Sequence, residues 1–229
     1  MKILILAHGR SGSTTLSKAL ADVLDLELVI EPFNKKLWEE YYKKEPPYID
    51  GPIPENTLFK HITMPNSLKH FGNAYRLKEF DKVIFLMREN IKDVIISKVN
   101  ADKYGYGVKY KNTEGTNIKM SDIEVVMKMY RELSNNARFN FLNANLVWYN
   151  DLYNDYDKSM QTIKNLKLNI DESQFNKMWD NYLNPSYRLR HDSSNIRAVY
   201  SSEDCKTDKD GGPYFFDMNE ISKIEKEQK

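Results

Sequence analysis

The first 24 residues carry the feature that most limits the possible fold. An apolar run at residues 2–7 leads into the polar stretch AHGRSGSTT at residues 7–15, and a helical pattern spans residues 13–24. A buried strand that passes through a Gly/Ser/Thr turn into a helix is typical of a phosphate-binding loop. The nucleotide form of that loop, G-x-x-x-x-G-K-[ST], has a lysine after its second glycine, but here Ser13 follows Gly12. The start of the chain therefore predicts an α/β fold with an anion site of another kind.

Strand-like and helical patterns alternate along the rest of the chain. Further strands are predicted at residues 26–30, 57–62 and 82–87, with a late one in LVWYNDL at 146–152. Further helices are predicted at residues 91–103, 121–141, 155–168 and 172–182, the first of them capped by Asn90. Strands separated by helices indicate βαβ units. We therefore expect a three-layer, P-loop-like α/β fold with a central, mostly parallel sheet flanked by helices, and a ligand at the carboxyl ends of the strands.

The length of 229 residues suits one α/β domain, which we place at residues 1–200 and follow with a polar C-terminal tail at 201–229. Residues 103–120 contain three glycines and three tyrosines and have no helical period. This segment is predicted to be either an ordinary surface loop or a substrate loop that covers the site.

Composition excludes several classes of protein. A net charge of +1 argues against a general nucleic-acid or membrane binder. The single cysteine, Cys205, excludes an internal disulfide and a cysteine metal cluster, which favours a reducing compartment. The apolar start is too short for a signal peptide, and no stretch approaches the roughly 20 apolar residues of a membrane span. The sequence thus predicts a cytoplasmic protein without a membrane span.

The loop after the first strand offers several donors to an anion. Gly12 permits a close approach of the ligand, and Arg10 lies at the entrance of the turn, from where it could reach a bridging oxygen rather than a terminal γ-phosphate. The hydroxyl groups that could add further hydrogen bonds belong to Ser11, Ser13, Thr14 and Thr15. The alternative is an ordinary strand–helix turn with a serine N-cap, which would not need an arginine and a glycine among four small polar residues.

A second candidate anion site follows the strand KVIFLM at residues 82–87. A magnesium-dependent nucleotide enzyme would place an acidic residue at the end of a neighbouring strand, but this strand ends at Arg88. Ser97 follows nine residues later, where it could face the same side of the sheet. The sequence thus predicts two separated anion pockets and no metal ligands. A ligand with phosphates at both ends of one ribose fits these pockets, whereas ATP does not.

These segments resemble the sulfotransferases that use 3′-phosphoadenosine 5′-phosphosulfate (PAPS). The stretch GRSGSTTL at 9–16 resembles their 5′-phosphosulfate loop, and RENIKDVIIS at 88–97 resembles their 3′-phosphate motif in the spacing of bacterial-type carbohydrate sulfotransferases. EPFN at 31–34 is similar to their acidic element, and VWYNDL at 147–152 to their late Y-E-D-L element, with Asn150 in place of glutamate. The resemblance covers roughly residues 1–165, and the last third matches loosely.

The resemblance implies a function. Such an enzyme transfers a sulfuryl group in line from PAPS to an acceptor hydroxyl, of a carbohydrate or a small molecule, without a metal, and releases adenosine 3′,5′-bisphosphate (PAP). Arg10 would stabilise charge on the departing 5′-phosphate, which residues 11–15 would cradle. Arg88 and Ser97 would bind the 3′-phosphate.

Family members take the acceptor proton with a glutamate after the second strand or a histidine after the third, which correspond here to Glu31 and His61. We favour Glu31, for which the alternative is a solvated loop carboxylate or one paired with Arg10. For His61 we favour the alternative of a partly buried histidine whose hydrogen bonds are satisfied. Strand alternation puts only one of Lys60 and His61 on the face of the site, and Lys60 could assist the sulfate. Arg188 and Arg190 could add contacts to the 3′-phosphate or belong to an exposed basic loop.

Two other functions remain compatible with the loop. A P-loop small-molecule kinase would keep the architecture but would need the missing lysine and a metal-binding carboxylate. A non-catalytic nucleotide-binding protein would bind PAP without turning over an acceptor. The sequence indicates neither the acceptor nor the oligomeric state.

Overall fold

The computed structural model of the protein describes residues 1–34, 39, 51–63, 76–104, 118–138 and 144–185. The strands of this part are β1 (Lys2–Ala7), β2 (Glu27–Ile30), β3 (Thr57–Ile62), β4 (Lys82–Met87) and β5 (Ala144–Trp148). The α-helices are α1 (Ser13–Leu24), α2 (Ile91–Tyr104), α3 (Met120–Arg138), α4 (Tyr149–Tyr153), α5 (Tyr156–Asn165) and α6 (Glu172–Met178). A 3₁₀ turn (Arg76–Glu79) precedes β4, and a π-helical turn (Trp179–Leu183) follows α6.

The five strands form one sheet in the order β2-β3-β1-β4-β5, and every pair of neighbours is parallel. Strand β1 lies at the centre, where Ala7 pairs with Ile62 of β3 and with Leu86 of β4. The chain that leaves β1 therefore passes between the carboxyl ends of β3 and β4. This is the point at which the order of the strands reverses and at which parallel sheets bind ligands.

Helices cover both faces of the sheet, and residues 3–7 of β1 have no exposed surface. On one face, Leu4 and Leu6 belong to a core with residues of α2 and α3, such as Val94 and Val126. On the other face, the core contains residues of α1, α5 and α6. A strand that is buried on both faces has to be apolar throughout, which is why KILILA shows no alternation. The predicted three-layer α/β fold is confirmed.

Four predicted elements, at residues 2–7, 13–24, 57–62 and 82–87, have the bounds that the structure gives to β1, α1, β3 and β4. The N-cap prediction is also confirmed, because the Asp93 N–H donates to Asn90 Oδ1 over 3.2 Å. Strand β2 begins one residue later than predicted, at Glu27. Helix α5 ends earlier than predicted, since Lys167 adopts a positive φ of 53° and cannot continue the helix.

The bounds predicted for the loop at residues 103–120 are wrong at both ends, because helices extend into the segment from each side. Lys103 and Tyr104 continue α2, and Met120 begins α3. Most of that segment lies outside the described residues, as do the predicted tail at 201–229, Arg188, Arg190 and Cys205. In the part of the chain that the structure describes, no helix is long and apolar enough to cross a lipid bilayer.

Candidate functional site

In the part of the chain that the structure describes, several backbone N–H groups of the loop between β1 and α1 have no partner. The first N–H groups bound within α1 are those of Thr15 and Leu16, which both donate to the Gly12 carbonyl, over 3.0 and 3.2 Å. The preceding N–H groups, of residues 11–14, donate to none of the described residues. Arg10 and Gly12 have positive φ angles of 68° and 80°, which turn the backbone into a concave loop. The loop thus offers a cluster of donors at the positive end of a helix dipole.

Hydroxyl groups extend this donor set. Ser11 has no exposed surface, and its Oγ contacts no polar partner among the residues that the structure describes. Ser13 is also buried, whereas Thr14 is exposed and Thr15 half-buried. A buried hydroxyl without a partner costs free energy unless a ligand or water satisfies it. The buried Ser11 hydroxyl is therefore consistent with an anion that binds in the loop and accepts its hydrogen bond.

Tyr153 packs against Gly12 of the loop, a contact that the sequence analysis did not predict. Its hydroxyl donates to the Gly12 carbonyl over 2.7 Å, and its side chain has no exposed surface. A Cβ atom at Gly12 would lie 2.8 Å from Tyr153 Cε2. Gly12 is therefore required both by its positive φ and by this contact. The available signal was the position of Tyr153 directly after the YNDL element.

The two segments predicted to bind anions meet at one contact. Arg10 Nε donates to Ser97 Oγ over 2.8 Å, across 87 positions of sequence. Ser97 is buried in the second turn of α2. The two segments are therefore in contact, whereas the sequence predicted two separated anion pockets. Helix α2 brings Ser97 back to the loop because it starts directly after β4, which is a neighbour of β1.

The Arg88 guanidinium is held on two sides. Nη2 donates to Asp93 Oδ2 over 2.9 Å, and Cζ lies 4.5 Å from the centre of the Tyr149 ring. Nε and Nη1 of Arg88 donate to none of the described residues. The guanidinium is thus oriented but keeps donors that could receive an anion.

The backbone of Arg88 is bound by two side chains from other elements. The Arg88 N–H donates to His8 Nε2 over 2.8 Å, and the Tyr130 hydroxyl donates to the Arg88 carbonyl. The rings of His8 and Tyr130 stack with their centres 4.3 Å apart. Burial lowers the pKa of His8 to about 4, against the opposing effect of the Gly9 carbonyl and with a smaller contribution from the Arg88 charge. His8 is therefore neutral at physiological pH.

Glu31 lies on the other side of the loop, in a cluster at the ends of β2 and β3. Its carboxylate accepts from Lys60 Nζ over 2.5 Å and from the Ile62 N–H over 3.0 Å, and its Oε2 lies 3.2 Å from His61 Nδ1. All three charged or titratable residues of the cluster are buried. Burial by itself would raise the pKa of Glu31, but the close contact with His61 and the charge of Lys60 lower it to about 2.

One expectation about this cluster is wrong. Lys60 and His61 both contact Glu31, although alternation predicted that only one of them would face the site. Alternation fixes the direction of Cβ, but Glu31 lies beyond the end of β2 with φ of 53°, and the long stem of Lys60 can bend around the strand end. The alternative pairing of Glu31 with Arg10 does not occur, because the Arg10 side chain contacts Ser97.

The late element resembling Y-E-D-L joins the site through its backbone. The Asn150 N–H donates to the Glu89 carboxylate over 3.2 and 3.3 Å, and the Asn150 side chain is exposed. The side-chain oxygen of Asn150 accepts from Asn154 Nδ2 over 3.0 Å. Within the described ranges, no group of three His, Cys, Asp or Glu side chains is arranged to hold a metal ion.

The sequence matches no model of a known protein family and no curated protein sequence. Solved structures similar to this one include mouse sulfotransferase SULT7A1 complexed with PAP, with 15% identity, a TM-score of 0.45, and coverage of 77% of this chain and 62% of that one. Another is the Bacillus subtilis YorR protein in complex with phosphorylated GDP, with 14% identity, a TM-score of 0.40, and coverage of 73% and 95%. A third is the sulfotransferase domain from the curacin biosynthetic pathway, with 17% identity, a TM-score of 0.41, and coverage of 77% of both chains.

The match thus spans less than two thirds of the mouse protein. Similarity at this level concerns the overall architecture and does not extend to the roles of individual residues.

Proposed function

We propose that the protein is a sulfotransferase that moves a sulfuryl group from PAPS to the hydroxyl of a carbohydrate or another small acceptor, without a metal ion. One observation carries this proposal: Arg10 Nε donates to Ser97 Oγ over 2.8 Å. The loop that resembles a 5′-phosphosulfate site and the segment that resembles a 3′-phosphate site therefore meet at one point. A nucleotide with phosphates on both sides of one ribose is the ligand that such a pair of sites fits.

The loop residues would hold the 5′ end of the donor. The N–H groups of residues 11–14, which donate to none of the described residues, and the buried Ser11 hydroxyl would supply hydrogen bonds to phosphate oxygens. Arg10 carries its charge at the entrance of this loop, where negative charge grows on the bridging oxygen as the bond to sulfur breaks. An interaction that strengthens in the transition state accelerates the reaction more than it tightens binding.

Arg88 and Ser97 would hold the 3′ end. Stacking on Tyr149 and pairing with Asp93 fix the direction of the Arg88 guanidinium, while Nε and Nη1 are left to bind phosphate oxygens. Ser97 would exchange its bond to Arg10 for a bond to the same phosphate. This arrangement distinguishes PAP from AMP, which has nothing to place beside Arg88.

The acceptor would approach from the side of Glu31 and His61. PAPS supplies the sulfuryl group, whose sulfur binds the acceptor oxygen while the bond to the 5′-phosphate oxygen breaks and its electron pair stays on that phosphate. Glu31 takes the acceptor proton in the proposed mechanism. Its low pKa makes it a weak base at rest, so the proton moves late, when the hydroxyl has become acidic through bonding to sulfur. His61 is the alternative base.

The test is a calorimetric titration of PAP and AMP. A charge-assisted contact contributes about 1.5–3 kcal/mol, so PAP should bind roughly 10- to 100-fold more tightly than AMP. Arg88→Ala should remove most of this preference and leave AMP binding nearly unchanged. Lys98→Ala is a matched control, because it removes a cation next to Ser97 that pairs with Asp122 instead. Equal affinity of the unmodified protein for the two nucleotides would contradict the proposal.

A turnover assay separates the proposal from the two other functions. Transfer of labelled sulfate from PAPS to a panel of carbohydrate acceptors should persist in the presence of EDTA. Phosphate transfer from ATP that needs magnesium would identify a kinase instead. Tight binding of PAP without turnover of any acceptor would identify a binding protein.

A further inference from the structure

We propose that His8 and Tyr130 are positioning residues for Arg88: they bind the two polar atoms of its backbone and thereby hold its guanidinium in place for the second phosphate of the donor. This inference rests on the proposed function, in which Arg88 receives the 3′-phosphate. Neither residue belongs to the segments that resemble a known motif.

Arg88 needs such partners because it lies directly after β4, which ends at Met87. A residue beyond the last ladder position has lost the neighbouring strand that would bind its N–H and carbonyl groups. Here His8, at the end of β1, accepts from the N–H, and Tyr130, on α3, donates to the carbonyl. The two side chains thus replace the missing ladder with contacts from two different elements.

The contacts of His8 define its tautomer. A backbone N–H can only donate, so the Nε2 atom that faces Arg88 carries no proton. A carbonyl oxygen can only accept, so the Nδ1 atom, 2.8 Å from the Gly9 carbonyl, carries the proton. Both ring nitrogens are used, and the ring has no exposed surface. His8 therefore connects the backbone of the anion-binding loop to the backbone of Arg88.

Stacking makes the two partners one unit. The planes of the His8 and Tyr130 rings are inclined by 26°, with their centres 4.3 Å apart. The rings fix each other, so that loss of one changes the contact of the other with Arg88. The Arg88 side chain leaves this fixed backbone between Tyr149 and Asp93. A displaced backbone would move the guanidinium away from both of these neighbours and from the phosphate.

Two substitutions of His8 form a matched pair. In His8→Gln, the side-chain oxygen can take the place of Nε2 and accept from the Arg88 N–H. In His8→Asn, the shorter side chain reaches only the place of Nδ1. We expect His8→Asn to reduce the preference for PAP over AMP about tenfold and to change AMP affinity by less than about twofold, whereas His8→Gln should keep most of the preference. Calorimetric titration measures both affinities.

Other results would overturn the inference. Retention of the full preference in His8→Asn would show that the contact does not position Arg88. Equal loss of affinity for both nucleotides in both variants would show a general structural role. If His8→Asn does not fold, Tyr130→Phe removes only the hydroxyl and should weaken PAP binding alone; an unchanged preference there contradicts the proposal.

A second measurement works without any nucleotide. The ¹⁵N relaxation of Arg88 Nε in the free protein should show more motion in His8→Asn than in the unmodified protein or in His8→Gln. Unchanged motion in His8→Asn overturns the positioning role, whatever the ligand is. If the unmodified protein binds PAP and AMP equally, the proposed donor is wrong, and this relaxation measurement still decides the role of His8.

Discussion

The two sides of the β1 loop hold their charged residues in different ways. On the β3 side, Glu31 is fixed through its side chain, by Lys60, by His61 and by the N–H of Ile62. On the β4 side, His8 and Tyr130 bind the backbone of Arg88. Its guanidinium stacks on Tyr149 and, among the described residues, has one carboxylate partner, Asp93. The negative charge of Glu31 is thus balanced by Lys60, whereas part of the Arg88 guanidinium can still bind an anion.

The two arrangements suit different roles, because a ligand meets protein donors at Glu31 but meets guanidinium donors at Arg88. The Glu31 carboxylate already accepts from Lys60 Nζ and from the Ile62 N–H, so a substrate has to compete with these donors. Nε and Nη1 of Arg88 donate to none of the described residues, so an anion can bind them without breaking the contact with Asp93. The arrangement at Arg88 is the one that an anion-binding residue needs. The arrangement at Glu31 makes its carboxylate a proton acceptor of low basicity.

The largest expected effect breaks the first side of this comparison. Glu31→Gln keeps the shape of the side chain but removes its charge, and should lower the turnover rate by about 10²- to 10⁴-fold with donor affinity near normal. Steady-state kinetics with PAPS and a competent acceptor give the rate. His61→Ala is the companion variant. If Glu31→Gln retains turnover and His61→Ala abolishes it, the base is His61.

The second prediction concerns stability on the same side. Glu31→Ala leaves the buried Lys60 ammonium without its carboxylate and should lower the free energy of unfolding by about 3–5 kcal/mol. Glu31→Gln combined with Lys60→Met should recover much of this loss. The control is Asp22→Asn, which breaks the surface pair with Lys177 and should cost at most about 1 kcal/mol. Urea unfolding measures all of these variants, and equal losses at the two pairs would contradict the buried character of the cluster.

The sequence predicted the strands of the sheet more accurately than it predicted the contacts of Glu31 and Arg88, and the reason is physical. Runs such as KILILA and KVIFLM are buried on both faces, and continuous apolar character bounded by polar residues marks such strands directly. The sequence also singled out the loop donors, Arg88 and Ser97, because each directly follows a strand or belongs to a local spacing. Their role in binding stays a prediction. Short-range patterns contain this information.

The roles of His8 and Tyr130 could not be found in the same way. Their contact joins residues 8, 88 and 130, which no local pattern connects. The joint contact of Lys60 and His61 with Glu31 was missed because alternation describes Cβ directions and not the reach of a lysine stem. Tertiary contacts at strand ends, rather than the strands themselves, therefore set the limit of the sequence analysis.

The third prediction uses pH to separate the two sides. The folded-state pKa of His8 is about 4, below its ordinary value of 6.5, so the unfolded chain takes up the proton first. The stability from neutral His8 is complete above about pH 6.5 and is lost as the pH falls towards 4, by about 3 kcal/mol in all. For Glu31, with a pKa lowered from 4.5 to about 2, the loss falls between those lower values. Unfolding measured from pH 7 to 4 should therefore report His8.

His8→Gln is the control for this pH dependence, because glutamine can keep the acceptor without titrating. The stability of this variant should change less between pH 6.5 and 4 than that of the unmodified protein. An identical pH dependence of the two proteins would show that His8 is not the group responsible.

The smallest expected effect sharpens the second side. Asp93 accepts from Arg88 Nη2 over 2.9 Å, and both side chains are partly exposed, so the pair contributes at most about 1 kcal/mol to stability. The Asp93 carboxylate also lowers the positive potential beside the proposed 3′-phosphate. Asp93→Asn keeps an oxygen acceptor for Arg88 but removes this charge, and should tighten PAP binding about threefold, or about 0.7 kcal/mol, with AMP affinity unchanged. Calorimetric titration at low ionic strength measures the change. Weaker PAP binding in this variant would mean that the charge of Asp93 orients Arg88 more than it competes with the phosphate, and that the β4 side, like the β3 side, depends on a side-chain ion pair.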